Sequence, residues 1–218
     1  IELPPIVRFE RQGGGKDAIK KAAEMLSNAK FPVILSGAGV VIGDAINECK
    51  ALAEKLDAPV CNGYQHNDSF PGSHPLAVGP LGYNGSKAAM QLISKADVVL
   101  ALGTRLNPFS TLPGYGIDYW PKNANIIQVD MNPDRIGLTK KVTVGIAGDA
   151  KQVAKQIFDK LSSNAGDSGR EDRKNLIHQT KSAWLQTLSS LDHEDDDPGT
   201  VWNKEARERD KDRMSPRQ

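Results

Sequence analysis

Short apolar runs alternate with amphipathic segments along most of this chain of 218 residues. Continuous apolar runs are typical of buried parallel strands, and apolar residues at a spacing of three or four indicate helices. The pattern predicts strands at Phe31–Ser36, Pro59–Asn62, Val98–Leu102, Ile126–Asp130 and Val142–Ala147. It predicts helices at Lys16–Lys30, Asp44–Leu56, Ser86–Lys95, Asp149–Leu161 and Glu171–Leu191. Strands and helices that alternate in this way favour a parallel sheet covered by helices.

The predicted fold class is α/β, with a doubly wound, mainly parallel, Rossmann-like sheet and a helical C-terminal linker. We expect an extended arm at residues 1–15, the α/β domain at residues 16–161, and a helical and polar linker at residues 162–218. Two segments rich in Gly and Pro, Gly63–Gly85 and Asn107–Lys122, are predicted to be loops. Loops of this length are usually functional or lie at interfaces.

Composition excludes several classes of partner. The formal net charge of +1 provides no electrostatic attraction to nucleic acid or to an anionic membrane. No apolar run approaches the ~18 residues that a transmembrane helix needs. The two cysteines, Cys49 and Cys61, cannot build a disulfide framework and fit a reducing compartment. We therefore expect a cytoplasmic protein with neither nucleic acid nor membrane as a partner.

Two glycine-rich turns are candidate binding elements. Gly37-Ala38-Gly39 follows a predicted strand, as in dinucleotide-binding proteins, but Ile42 stands where the third glycine of that motif belongs. A tight turn from strand to helix explains these glycines as well. Gly82 and Gly85 precede a predicted helix, where exposed backbone N–H groups favour a phosphate or carboxylate. The alternative is that Ser86 simply caps that helix.

Two charged residues follow buried strands at what should be the carboxyl edge of the sheet, where open α/β sheets bind their ligands. Arg105 could bind a phosphate or carboxylate through its planar guanidinium, or it could make a surface ion pair. Asp130 could accept a hydrogen bond from a ribose hydroxyl, or cap the following turn. The candidate cofactor-binding residues are therefore Gly37, Gly39, Gly82, Gly85, Arg105 and Asp130.

Catalytic chemistry is not indicated within the chain. His66 and His74 lie in the first long loop without a second metal ligand at a recognisable spacing. No nucleophile, base and orienting group occur together, and Asp149 reads as a helix cap. We predict no catalytic residue and no metal site here.

Three segments resemble the central domain of thiamine-diphosphate-dependent enzymes, the group that includes acetolactate synthase and pyruvate oxidase. They are Phe31–Val40, Asp97–Arg105 and Gln128–Pro133. A narrower resemblance, to the sulfoacetaldehyde acetyltransferase family, rests on the segments Cys61–Asp68, Asn107–Pro121 and Arg135–Lys141.

The narrower resemblance implies one domain of a three-domain enzyme. The full enzyme would convert sulfoacetaldehyde and phosphate to acetyl phosphate and sulfite. Thiamine diphosphate and magnesium would bind to the other domains, because this chain lacks the family's Gly-Asp-Gly…Asn motif and Gly148-Asp149-Ala150 does not match it. The implied partners are the other domains of the same polypeptide and further copies in a dimer or tetramer. A start at Ile1 rather than Met fits this expectation, and the chain alone is expected to be inactive.

The resemblance does not decide whether the candidate cofactor-binding residues bind a ligand in this chain. In flavin-dependent relatives the matching domain binds FAD, and the six candidate cofactor-binding residues are the matching positions. Here they are either an unused relic or a site for FAD or an adenine nucleotide. Two alternatives to the acetyltransferase assignment follow: a fragment of the acetolactate synthase type that binds FAD, or a free-standing module that binds an adenine nucleotide.

Overall fold

Six parallel strands form one sheet in the computed structural model, which describes residues 11–82 and 85–191. The order across the sheet is β3-β2-β1-β4-β5-β6. The strands are β1 (Pro32–Ser36), β2 (Val60–Asn62), β3 (Ala77–Pro80), β4 (Val98–Leu102), β5 (Asn125–Asp130) and β6 (Val144–Ala147). The chain therefore builds outward from β1 to β3, returns past β1 to β4, and builds outward again to β6. This is the strand order of doubly wound dinucleotide-binding folds, so the predicted fold class is confirmed.

Six helices connect or flank these strands. They are α1 (Lys16–Ser27), α2 (Ala38–Ile42), α3 (Ile46–Leu56), α4 (Lys87–Ile93), α5 (Ala150–Lys160) and α6 (Arg170–Leu191). Helix α5 contacts both α1 and α3, while α4 packs against β2 and β3. All residues of β1 and β4 are buried, which explains why their sequences are continuous apolar runs.

Two elements were missed by the sequence pattern. β3 lies inside the segment 63–85 that was predicted to be a loop, and it forms one edge of the sheet. Its sequence, Ala-Val-Gly-Pro, contains the two residues that are most depleted in strands, although Pro80 is tolerated at an edge. The short helix α2 precedes α3, so the helix that was predicted at Asp44 begins at Ile46.

Residues 162–180 continue the compact unit that contains the sheet, past the boundary predicted at residue 161. Ala165 and Ile177 are buried in its core. Arg173 is 1% exposed and is the bulkiest fully buried side chain. Its guanidinium donates five hydrogen bonds of 2.5–3.0 Å. All five acceptors are backbone carbonyls, those of Lys30, Leu56, Asp57, Gly166 and Ser168.

The remaining turns of α6, Lys181–Leu191, belong to a second unit. The predicted helix at Glu171–Leu191 is thus observed with one extra residue at its start. Residues 192–218 of the predicted linker, like residues 1–10 of the predicted arm, lie outside the described residues. Among the helices that the structure describes, none combines the length and apolar character that crossing a membrane requires.

Candidate functional site at the carboxyl edge of the sheet

A cleft of about 840 Å³ opens at the carboxyl ends of β1, β4, β5 and β6. Its floor lies where the sheet order reverses, between β1 and β4, which is the usual ligand site of a doubly wound sheet. The volume is within the range of small-molecule and cofactor sites. The polar residues that line it are Arg11, Tyr64, Gln65, His66, Thr104, Arg105, Asn107, Ser110, Asp130, Arg135 and Asp149.

The glycines on the cleft floor are required by backbone packing. Gly39 N donates to Gly103 O at 2.8 Å, and a Cβ built on Gly39 would lie 2.7 Å from the Cα of Gly103. Gly103 has φ +61°, where a side chain would also be strained. A Cβ on Gly37 would lie 2.6 Å from Gly103 O. The turn after β1 and the end of β4 therefore interlock whether or not a ligand binds.

The arginines give the cleft its charge. Arg105 is exposed and Arg135 is partly buried, and neither guanidinium has a hydrogen bond or ion pair with any residue that the structure describes. Arg11 differs because it donates to Gly43 O at 2.9 Å and its Nε lies 3.8 Å from the Asp149 carboxylate. Two cations are thus available to an anionic ligand.

The acidic residues of the cleft have local roles. Asp130 accepts a hydrogen bond from Asn132 N at 2.9 Å, so it caps the turn after β5 as the alternative interpretation held. One carboxylate oxygen is sufficient for this contact, and the other remains for a ligand. Asp149 is buried and caps α5 through Gln152 N at 3.1 Å, as predicted.

Gly82 and Gly85 do not line the cleft, contrary to the expectation that they share a site with Gly37 and Arg105. The loop after β4 packs directly on them, and a Cβ on Gly82 would lie 1.9 Å from Phe109 O. Tyr115 Oη donates to Gly85 O at 3.1 Å. These glycines therefore make room for a neighbouring loop.

Ser86 caps α4 by accepting a hydrogen bond from Ala89 N at 3.2 Å, as the capping alternative held. The helix that begins there is only seven residues long.

The comparisons with known proteins agree with this geometry. The family described as "Thiamine pyrophosphate enzyme, central domain" matches residues 19–157, which is more than half of the chain. The chain belongs to that family.

The relatives of this central domain carry two kinds of name. A "Probable sulfoacetaldehyde acetyltransferase" of Rhizobium meliloti is 78% identical over 218 residues, and a sulfoacetaldehyde acetyltransferase of Roseovarius nubinhibens is 71% identical over 217 residues, in each case 100% of this chain. An acetolactate synthase large subunit of Buchnera aphidicola is 38% identical over 69% of the chain. The central domain spans 37%, 36% and 26% of these relatives, respectively, so they are all much longer proteins.

Solved structures show the same fold. A benzoylformate decarboxylase of Polynucleobacter necessarius has a TM-score of 0.59 and 24% identity, covering 77% of this central domain and 32% of its own chain. A thiamin diphosphate-dependent enzyme of Mycobacterium smegmatis, described as putative, has a TM-score of 0.58 and 27% identity. It covers 74% of the central domain and 31% of its own chain.

The remaining candidate residues of the central domain have structural contacts. His74 Nε2 lies 3.2 Å from Glu54 Oε1, and His66 lies 4.0 Å from Asp68. Cys49 and Cys61 are fully buried; burial raises the pKa of Cys49 to about 12 and raises that of Cys61 further. Both thiols are therefore protonated and shielded from solvent at neutral pH.

Two aromatic residues of the predicted loop Asn107–Lys122, Tyr119 and Trp120, pack the loop and do not line the cleft. Tyr119 is 1% exposed and donates to Ser110 O at 3.2 Å, and burial raises its pKa to about 12. The Trp120 ring lies under Lys140 Nζ at 5.2 Å. Phe109, which was not singled out from the sequence, lines the cleft and stacks on Tyr64 with ring centroids 6.2 Å apart.

Asp57 lies at the end of α3 and pairs with Arg170 at 2.6 Å, and it does not line the cleft. The ribose-binding acid of a dinucleotide fingerprint is thus missing from its usual place.

Within the described residues, no group of three His, Cys, Asp or Glu side chains could hold a metal ion. The residues present do not fit a magnesium–diphosphate site. What the arrangement can do is bind an anion through Arg105 and Arg135, beside a hydrogen-bond acceptor at Asp130.

Sequence reasoning missed two residues of functional interest, Arg11, which lines the cleft, and Gln128, whose side chain hydrogen-bonds to the loops beside it. Arg11 lies in the segment that was predicted to be an extended arm, and no local pattern placed it beside Gly43 in the cleft. Gln128 had a visible signal, because it is the polar residue in the apolar run Ile126–Val129.

Proposed function

We propose that this chain is the central domain of a sulfoacetaldehyde acetyltransferase. The longer protein converts sulfoacetaldehyde and phosphate to acetyl phosphate and sulfite. The observation that carries the proposal is the level of identity. Relatives of that name match the chain over its whole length, whereas the acetolactate synthase relative matches a shorter part at half that identity. The match covers all three segments on which the narrower resemblance rests, Cys61–Asp68, Asn107–Pro121 and Arg135–Lys141.

In this proposal, thiamine diphosphate and magnesium bind to the parts of the longer protein that this chain does not include. Thiamine diphosphate supplies the carbanion chemistry that breaks the bond to sulfur. Asp149 follows Gly148 at the cleft, but its carboxylate caps α5 and lies 3.8 Å from Arg11 Nε. The central domain therefore positions the other domains and is inactive when isolated.

The test compares the full-length gene product with the 218-residue chain. Each protein is given sulfoacetaldehyde, phosphate, thiamine diphosphate and Mg²⁺, and sulfite and acetyl phosphate are measured. A parallel assay offers pyruvate and measures acetolactate. We expect sulfite and acetyl phosphate from the full-length protein and neither from the chain. Acetolactate as the main product would favour the acetolactate synthase alternative, and sulfite from the isolated chain would show that fragment inactivity is wrong.

Self-association is part of the proposal. Large apolar side chains are exposed near the carboxyl edge of the sheet, among them Ile42 at 77%, Phe109 at 59% and Leu138 at 73%. Exposed apolar surface of this kind marks interaction sites. We propose that the other domains and further copies cover it in a cytoplasmic dimer or tetramer. Light scattering after gel filtration should show oligomers of the full-length protein, and a monomer at all concentrations would contradict this.

A second candidate function is binding of an adenine nucleotide in the cleft. It is supported by the position of the cleft at the switch point and by Arg105 and Arg135, whose guanidinium groups have no partner among the described residues. Thermal-shift titrations with ADP, FAD and NAD test it. A ligand at ~100 times its Kd stabilises a protein by about 2.7 kcal/mol, which should raise Tm by roughly 5–10 °C. No shift with any of them would leave a purely structural central domain.

A further inference from the structure

Gln128 is a buried amide in the middle of the apolar strand β5. It is 1% exposed. A buried amide is costly unless its polar atoms are hydrogen-bonded. Here Nε2 donates to Thr104 O at 3.2 Å and to Arg135 O at 3.1 Å, while Oε1 accepts from Gly137 N at 2.9 Å. Both donors and the acceptor oxygen are therefore used.

The three partners of Gln128 belong to the two loops that carry the free arginines of the cleft. Thr104 immediately precedes Arg105, and Arg135 and Gly137 lie in the loop between β5 and β6. No other strand residue hydrogen-bonds through its side chain to both loops among the contacts described.

A second bond ties the same loops on the other side of Arg105. Thr139 Oγ1 donates to Leu106 O at 2.8 Å. Leu106 is fully buried and has φ +53°, an unfavourable conformation for a leucine that neighbouring contacts must hold in place. The backbone on both sides of Arg105 is thus fixed to the loop of Arg135.

We propose that Gln128 is a positioning residue that holds Arg105 and Arg135 as a preset pair of cations for a ligand with more than one anionic group. The inference rests on the second candidate function above, that the cleft binds an anionic ligand. Preorganised loops reduce the ordering cost of binding. Loosening them should therefore weaken affinity even though Gln128 does not line the cleft itself.

The shape of the amide decides which substitutions are informative. Gln128→Met keeps the length of the side chain and removes all three hydrogen bonds. Gln128→Glu can still accept from Gly137 N but cannot donate to either carbonyl in its ionised form. Leu26→Ala is the matched control, because Leu26 is a buried residue near the end of α1 and does not line the cleft. It destabilises the fold through a cavity and leaves both loops intact.

Two measurements on the purified chain test the inference. The first is the Kd of ADP and of pyrophosphate by calorimetry, and the second is hydrogen exchange of residues 131–141 without ligand. We expect Gln128→Met to raise both Kd values at least tenfold and to speed exchange in this loop. Leu26→Ala should change neither at a temperature where it is fully folded. Arg105→Met and Arg135→Met should each weaken binding without changing loop exchange.

Each contrary result has a separate meaning. Unchanged Kd values in Gln128→Met, despite a loosened loop, would overturn the positioning role while the cleft remains a binding site. Unchanged exchange would overturn the structural link itself. If the wild-type chain binds neither probe, the proposed binding function fails and the inference fails with it.

Discussion

Arg173 provides the sharpest test of what holds the segment after α5 on the sheet. Its five hydrogen bonds all go to backbone carbonyls, so a change to methionine removes every donor and leaves the carbonyls buried. A hydrogen bond to a charged group contributes about 1.5–3 kcal/mol, but five bonds to one group are not additive. A buried carbonyl left without a donor costs about 1–3 kcal/mol, so loss of all five donors should lower the free energy of unfolding by more than about 3 kcal/mol in Arg173→Met.

The assay is urea unfolding of the purified chain, followed by circular dichroism. Lys174→Met is the control, since Lys174 lies on the same helix with an exposed side chain and makes a surface contact with Glu171 at 3.6 Å. Surface pairs of this kind contribute at most about 1 kcal/mol. Arg173→Lys should lie between wild type and Arg173→Met, because an ammonium keeps the charge but cannot reach carbonyls on several sides. If Arg173→Met costs no more than Lys174→Met, the reasoning is refuted.

Three further predictions test other parts of the fold. Gly103→Ala should lower the free energy of unfolding by more than about 2 kcal/mol, because the new Cβ would meet Gly39 and because φ at this position is positive. Gly72→Ala should be nearly neutral, because open space surrounds Gly72. Equal stability of the two variants in urea would contradict this prediction. Cys49 and Cys61 should not react with Ellman's reagent at pH 8 in the native chain, because burial raises the pKa of both thiols. Both should react in denaturant. Rapid labelling of the native chain would show that these buried sites open to solvent. Asp149→Ala should cost about 1–2 kcal/mol through loss of the cap of α5, measured by the same urea titration, and no change would rule out the cap as a stabilising contact.

The sheet could be predicted where strands are buried on both faces. β1 and β4 are apolar at nearly every position, and short apolar runs of this kind are typical of strands buried on both faces. β3 could not be predicted because it is an edge strand of four residues that contains Gly79 and Pro80, and its pairing with β2 is a property of the folded chain. The local sequence does not indicate which strand β3 pairs with, because strand pairing depends on tertiary context.

The candidate site was predicted only in part for a related reason. Arg105 and Asp130 come directly after strands, so the parallel sheet alone brings them to one edge. Gly82 follows a strand too, but whether a glycine faces a ligand or another loop depends on tertiary packing. In this chain Phe109 occupies the space beside Gly82.

The glycines and the arginines of the cleft are therefore different kinds of evidence. Gly39 and Gly103 have a complete explanation in the close approach of two backbones, so a domain that bound nothing would still need them. Arg105 and Arg135 have no such explanation, because no described residue pairs with either guanidinium and yet Gln128 fixes the loops of both. The arginines, and not the glycines, therefore indicate a ligand. It follows that substitution of a glycine, which would disturb the fold, cannot test binding, whereas substitution of Arg105 can.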